Sequence, residues 1–133
     1  MRIVLDTNVF VSGVFFGGHP GSILEAWRDG RVSVVVSQEI IEEYVRVGQR
    51  LSSRFPGVDL TPALDLLGAS ATLVEAPPLA EPVCRDADDD KFIACAIAAG
   101  VKYVVSGDRD LLDVSPYRTV LVVRPRTLLE VLA

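Results

Sequence analysis

The chain has 133 residues, of which 50% are apolar and 23% charged. That length suits one domain, since natural domains cluster near about 100–150 residues, and the composition excludes a disordered chain. Thirteen bases against 18 acids give a formal charge of −5, which taken alone argues against a nucleic-acid binder.

No apolar run approaches the roughly 18–20 residues of a membrane span. Asp6 interrupts the N-terminal apolar segment too early for a signal peptide. The two cysteines, Cys84 and Cys95, make neither a disulfide framework nor a metal knuckle. A cytoplasmic single domain over residues 1–133, with no membrane attachment, is the expectation.

In chain order, Arg2-Ile3-Val4-Leu5 reads as a buried strand that ends at Asp6. Thr7 or Asn8 then caps a helix to about Phe16, and a glycine-rich break precedes a second helix from Ser22 to Asp29. Val32 to Val36 is the second strand. Ser37 follows it as the cap of a helix that runs to about Phe55. Thr61-Pro62 opens another helix, and Ala71 to Glu75 is a weak third strand. A helix from Asp88 to Ala99 closes at Gly100. The fourth strand spans Val101 to Ser106, with a short helical turn over Asp108 to Leu112. Thr119 to Val123 is the fifth strand, and Pro125 starts the last helix. Trp27, Phe15 and Phe16 read as core residues. Continuously apolar strands alternating with helices imply a three-layer α/β/α domain with a central parallel sheet of four to five strands.

Ligands in such sheets gather at the carboxyl ends of the strands, where strand order reverses. The acids are distributed accordingly. Asp6 follows strand one, Asp108 follows strand four, and Asp86, Asp88, Asp89 and Asp90 crowd the start of a helix. If strands one and four are neighbours, the acids that end them lie about 5 Å apart laterally. The plainer account of Asp6 is a carboxylate that receives amides of the following helix. Four acids within five residues are harder to explain that way, because they repel unless a cation relieves them. Asp90 lies three and seven residues before Ile93 and Ile97, which places it on the inward helical face, with Asp88 as the cap.

On the helix after strand two, Ile40, Tyr44, Val47 and Leu51 form one apolar stripe. Glu43 borders that stripe at about 70° from its centre, while Glu42 faces solvent. Arg46, Arg50 and Arg54 lie beside Glu43, either as a solvated face or as a cationic track for a phosphate backbone. Setting aside the seven clustered or strand-end aspartates and Glu43 leaves 10 acids against 13 bases, a mildly basic remainder. A single histidine, His19, offers little to nucleophilic catalysis. Carboxylates that converge on one sheet edge instead suit Mg²⁺ or Mn²⁺, which prefer oxygen ligands and can drive phosphoryl displacement.

These residues resemble the PIN-domain family, and within it the small bacterial toxin components of toxin–antitoxin pairs, the VapC-type ribonucleases. The resemblance spans essentially the whole chain. It rests on Ile3-Val4-Leu5-Asp6-Thr7-Asn8, on Ser37 with Glu43-Tyr44, on Asp86 to Ala96, and on Val104 to Leu111. By that resemblance Asp6, Glu43, Asp90 and Asp108 are the acidic metal-binding and catalytic positions, with Asn8, Ser106 and Asp110 as accessory polar positions. It implies an Mg²⁺- or Mn²⁺-dependent endoribonuclease that leaves 5′-phosphate and 3′-hydroxyl ends. It implies as partners an RNA substrate, a cognate antitoxin protein and a second copy in a homodimer. Ala87 stands where this group commonly has Pro, and Ser106 where it has Thr. A signalling receiver domain would need an Asp after strand three, where this chain has Glu75-Ala76-Pro77. A binding scaffold on the same fold with little nuclease activity is the other alternative.

Overall fold

A computed structural model describes all of residues 1–133. Five parallel strands form the sheet: β1 (Arg2–Leu5), β2 (Ser33–Val36), β3 (Thr72–Leu73), β4 (Tyr103–Val105) and β5 (Leu121–Val123). Their spatial order is β3-β2-β1-β4-β5, so β1 is central and the chain order reverses between β1 and β4. Ile3, Val4 and Leu5 have no exposed surface, nor do Val34, Val35, Val36, Val104 and Val105. Strands buried on both faces need no polar alternation, which is why these runs are continuously apolar.

The connecting helices are α1 (Thr7–Phe15), α2 (Gly18–Arg28), α3 (Gln38–Arg54), α4 (Thr61–Ser70), α5 (Asp90–Ala99), α6 (Arg109–Leu112) and α7 (Pro125–Leu132). They cover the sheet in the expected three layers, α5 lying against β1, β2 and β4 while α2 meets α1 and α7. Ile40 and Tyr44 of α3 are fully buried, and the Tyr44 ring stacks on Phe10 with centroids 4.4 Å apart. The Tyr44 hydroxyl donates to the Leu5 carbonyl, which anchors α3 to the end of the central strand. Gly13 lets α1 and α2 approach closely: a Cβ there would lie 2.7 Å from Leu24 Cδ1 and 2.9 Å from the Pro20 carbonyl.

Several boundaries differ from the sequence expectation for local reasons. Asp6 itself caps α1, rather than Thr7 or Asn8, because its carboxylate accepts the Asn8 amide. The second helix begins at Gly18, four residues before Ser22. A one-turn 3₁₀ segment over Ala87–Asp89 precedes α5, with Asp86 as its cap instead of Asp88. Strand β3 shrinks to two exposed residues at the sheet edge. Phe16 is not core: it is 62% exposed and meets Phe55 edge-on at the surface. Gly100 does end α5 in a left-handed conformation, φ 65°.

Candidate acidic active site

The register pairs Leu5 with Val105, so β1 and β4 end side by side. The Asp6 amide donates to the Val105 carbonyl at 3.0 Å, extending that pairing one residue into the site. Asp6 is buried. One carboxylate oxygen accepts the Asn8 amide at 2.5 Å and the other accepts the Ser106 hydroxyl. The same Ser106 oxygen receives the Asp108 amide at 2.9 Å. A fully buried hydroxyl therefore links the two strand ends and sets the Asp108 backbone relative to Asp6. The Asp108 carboxylate then caps α6 by accepting the Asp110 amide at 3.0 Å. Asp110 in turn faces Arg85 at 3.4 Å. Asn8 is exposed and lines, with Ser12, Gly107 and Asp108, an open cleft of about 540 Å³.

The third acid differs from the sequence expectation. Asp90 has both carboxylate oxygens engaged by backbone amides. One of its oxygens accepts the Cys84 amide at 2.7 Å and the other the Val83 amide at 3.3 Å, so it pins the preceding loop to α5. The acid coupled to the strand ends is Asp89. Burial raises its pKa to about 7, helped by the charges of Asp108, Asp86 and Asp6 and opposed by Lys91. Burial also raises the pKa of Asp6; its hydrogen bonds to Ser106 and to the Asn8 and Val9 amides oppose this, while Asp108 adds to it.

Glu43 stands beside this group with both oxygens engaged. One accepts the Thr7 hydroxyl, and the other lies 2.6 Å from the ammonium of Lys91 and 3.7 Å from Arg46. Lys91, nearly fully buried, also donates to the Asp88 carbonyl at 2.6 Å. Arg46, Arg50 and Arg54 are exposed along α3. The sequence reading missed Asp89 and Lys91. A signal for the second was available: a lone lysine at the head of the apolar segment Phe92–Ala99 needs an anionic partner when buried.

No three His, Cys, Asp or Glu side chains stand within common reach of one ion in this arrangement. What joins Asp6, Asp89 and Asp108 is mutual repulsion in a partly desolvated place. That repulsion has a measurable consequence for the metal-free chain. A free aspartate titrates near pH 3.9, whereas Asp89 holds its proton to about 7. Between those values the folded state binds more protons than the unfolded one, so stability falls as pH rises through the window and levels off above it. In EDTA the melting temperature is expected to be lower at pH 8 than at pH 5.5. Differential scanning fluorimetry should show a smaller difference in Asp89→Asn.

A doubly wound parallel sheet with carboxylates at its strand-order reversal defines a class of acid-site α/β domains. The chain belongs to the PIN-domain family, whose description matches residues 2–110. It is 28% identical over 116 residues to the uncharacterized protein MJ1680 of Methanocaldococcus jannaschii, covering 85% of this chain and 74% of that protein. The fold is similar to that of PAE2754 from Pyrobaculum aerophilum, with TM-score 0.61 and 20% identity over 98% of this chain and 88% of that one. It is also similar to a chain in the crystal structure of VapBC2 from Rickettsia felis bound to a DNA fragment from their promoter. That match has TM-score 0.61 and 13% identity, covering 93% of this chain and 98% of that one. No helix is long and apolar enough to cross a membrane.

Proposed function

We propose that the protein is a metal-dependent endoribonuclease and the toxin of a type II toxin–antitoxin pair in the cytoplasm. The observation that carries the reading is the pairing of Asp6 and Asp108 through Ser106 at the β1 and β4 ends, with Asp89 at the start of α5 coupled to both. PIN nucleases generally use divalent metal ions. The donor type of these three acids suits one, since carboxylates are hard oxygen donors and two of the three have proton affinities raised by burial and neighbouring charge, but in this arrangement the three do not stand within common reach of a single ion. Asp6, Asp89 and Asp108 would have to draw together to hold Mg²⁺ or Mn²⁺, which when bound would supply Lewis-acid activation of water and charge neutralisation at a phosphate.

The chain's own residues do the positioning. Ser106 holds the Asp6 carboxylate and the Asp108 backbone in one frame. The exposed Asn8 amide can bind a phosphate oxygen or a base edge at the mouth of the cleft. Arg46, Arg50 and Arg54 offer cations to an RNA backbone approaching along α3. Local charge of this kind accommodates a polyanion despite the net charge of −5. The VapBC2 resemblance supports an antitoxin as partner.

The test is cleavage of single-stranded and hairpin RNA by the purified chain with Mn²⁺ and with EDTA. Cleavage that needs Mn²⁺ and is lost in Asp6→Asn, with the circular dichroism spectrum unchanged, is the expected result. No cleavage by the wild type in Mn²⁺ on a transcriptome-wide substrate pool would leave the binding scaffold as the better reading.

A further inference from the structure

The strand register continues one residue past the paired ends. Leu5 pairs with Val105 and Val105 with Val123, and the Ser106 amide donates to the Val123 carbonyl at 2.9 Å. Asp6, Ser106 and Arg124 therefore stand in one row across β1, β4 and β5. Adjacent strands are about 4.8 Å apart, so the Arg124 backbone lies about 10 Å from that of Asp6, with Ser106 between them. The Arg124 side chain is exposed and forms no ion pair. Its one contact, 3.5 Å from Nη1 to the Gly107 carbonyl, is long for a hydrogen bond and leaves the rest of the guanidinium fork free. Gly107, which it faces, and Pro125, which follows it, line the open cleft that Asn8, Ser12 and Asp108 share. Charge along this edge of the sheet is divided. Over β2 and β3 the clefts are lined by Glu39, Glu75 and Glu81, and the one cation there, Lys91, is already paired with Glu43. Past β5 the chain carries Arg124 and Arg126 and no acid until Glu130. A polyanion is repelled from the first side and drawn to the second.

We propose that Arg124 is a phosphate-binding residue for the RNA strand, gripping its backbone on the β5 side of Asp6 and Asp108. The proposal deepens the ribonuclease reading above and rests on it. A guanidinium presents parallel donors that match two oxygens of one phosphate, which makes arginine the fitting residue for such a grip. The nucleotide between Arg124 and the strand-end acids lies in the cleft, against Asn8 and Ser12, which are one helical turn apart on α1. A strand held this way leaves the acid group over β5, away from the glutamates that flank β2 and β3. Arg124 is thus placed to bind substrate and set its path, with no part in the proton or metal chemistry.

The experiment measures binding of a fluorescein-labelled single-stranded RNA to the full chain by anisotropy, in EDTA and over a range of KCl concentrations. Each phosphate contact on a single strand contributes about 0.7 to the slope of log Kd against log salt, or roughly fivefold in affinity at about 0.1 M salt. Arg124→Met, which keeps the apolar stem, is expected to lose that increment in slope and affinity. Arg124→Lys, which keeps the charge, is expected to retain most of it. Lys102→Met removes an exposed cation at the amino end of β4 and is expected to change neither. An unchanged slope in a folded Arg124→Met, or an equal loss in Lys102→Met, would overturn the proposal, while Mn²⁺-dependent cleavage by the wild type would still uphold the ribonuclease reading. If Arg124→Met does not fold, nuclear magnetic resonance of the wild type decides: the RNA should shift the Arg124 Nε–H signal, and no shift would overturn the proposal. No binding of RNA by the wild type would overturn both.

Discussion

Asp89→Asn is expected to abolish RNA cleavage, whereas Asp90→Asn keeps it. The adjacent acids have opposite surroundings. Asp89 shares its field with Asp6 and Asp108, so neutralising it removes a donor where phosphate charge must be offset. Metal-assisted charge stabilisation is worth several kcal/mol, and at 1.36 kcal/mol per decade that is a loss of about 10²–10³-fold or more. Asp90 instead receives two loop amides, from Val83 and Cys84. An asparagine there still offers one carbonyl oxygen to the shorter bond, so activity should stay within about tenfold, the small end of supporting-residue effects. Rates on an end-labelled RNA at saturating Mn²⁺ separate the two. An inactive Asp90→Asn beside an active Asp89→Asn would restore the assignment that helical spacing suggests.

The second large effect concerns stability. Glu43→Ala leaves the Lys91 ammonium buried without its counter-charge, a situation that costs about 3–5 kcal/mol. For a chain of this size that corresponds to a fall in melting temperature on the order of 10 °C. Replacing both partners is far milder than removing one, because the double variant Glu43→Ala with Lys91→Met buries no unpaired charge. Urea unfolding in EDTA should rank Glu43→Ala below the double variant. The pair Arg126–Glu130 makes an internal control: at 3.4 Å but with side chains 76% and 65% exposed, its removal should cost under about 1 kcal/mol. Equal losses at the two pairs would mean that Lys91 is not desolvated as described.

Most of the scaffold was readable before any coordinates, for a reason specific to parallel sheets. Ile3-Val4-Leu5, Val34-Val35-Val36 and Val104-Val105 are covered on both sides, so burial leaves a continuous apolar mark. Helix ends with chemical signatures, Ser37 and Gly100, were equally plain. The edge strand was legible only as a weak one and was read too long, Ala71 to Glu75, since Thr72 and Leu73 are exposed and leave no continuous apolar mark. Phe16 misled because hydrophobicity alone says nothing about which side of a helix end faces water.

Within the site, Asp6, Ser106 and Asp108 were legible as polar residues that terminate buried strands. The choice between Asp89 and Asp90 was not. Helical phasing back from Ile93 correctly turns Asp90 inward, but inward there is the loop at Val83 and Cys84. The tighter winding over Ala87–Asp89 alters the phase that a continuous α-helix would give to Asp89. Glu43 was recognised by its position at the border of the apolar stripe, while its partner Lys91 lay hidden in an alanine-rich helix.

The central strand is made first and completed late. Asp6 and Ser106 are separated by 100 residues along the chain, and translation at about 5–20 residues per second places roughly 5–20 s between their syntheses. A nascent polypeptide on the ribosome thus carries Asp6 for most of its elongation without Ser106 or Asp108 beside it. The acid centre assembles only once β4 has emerged, so no half-made copy contains it.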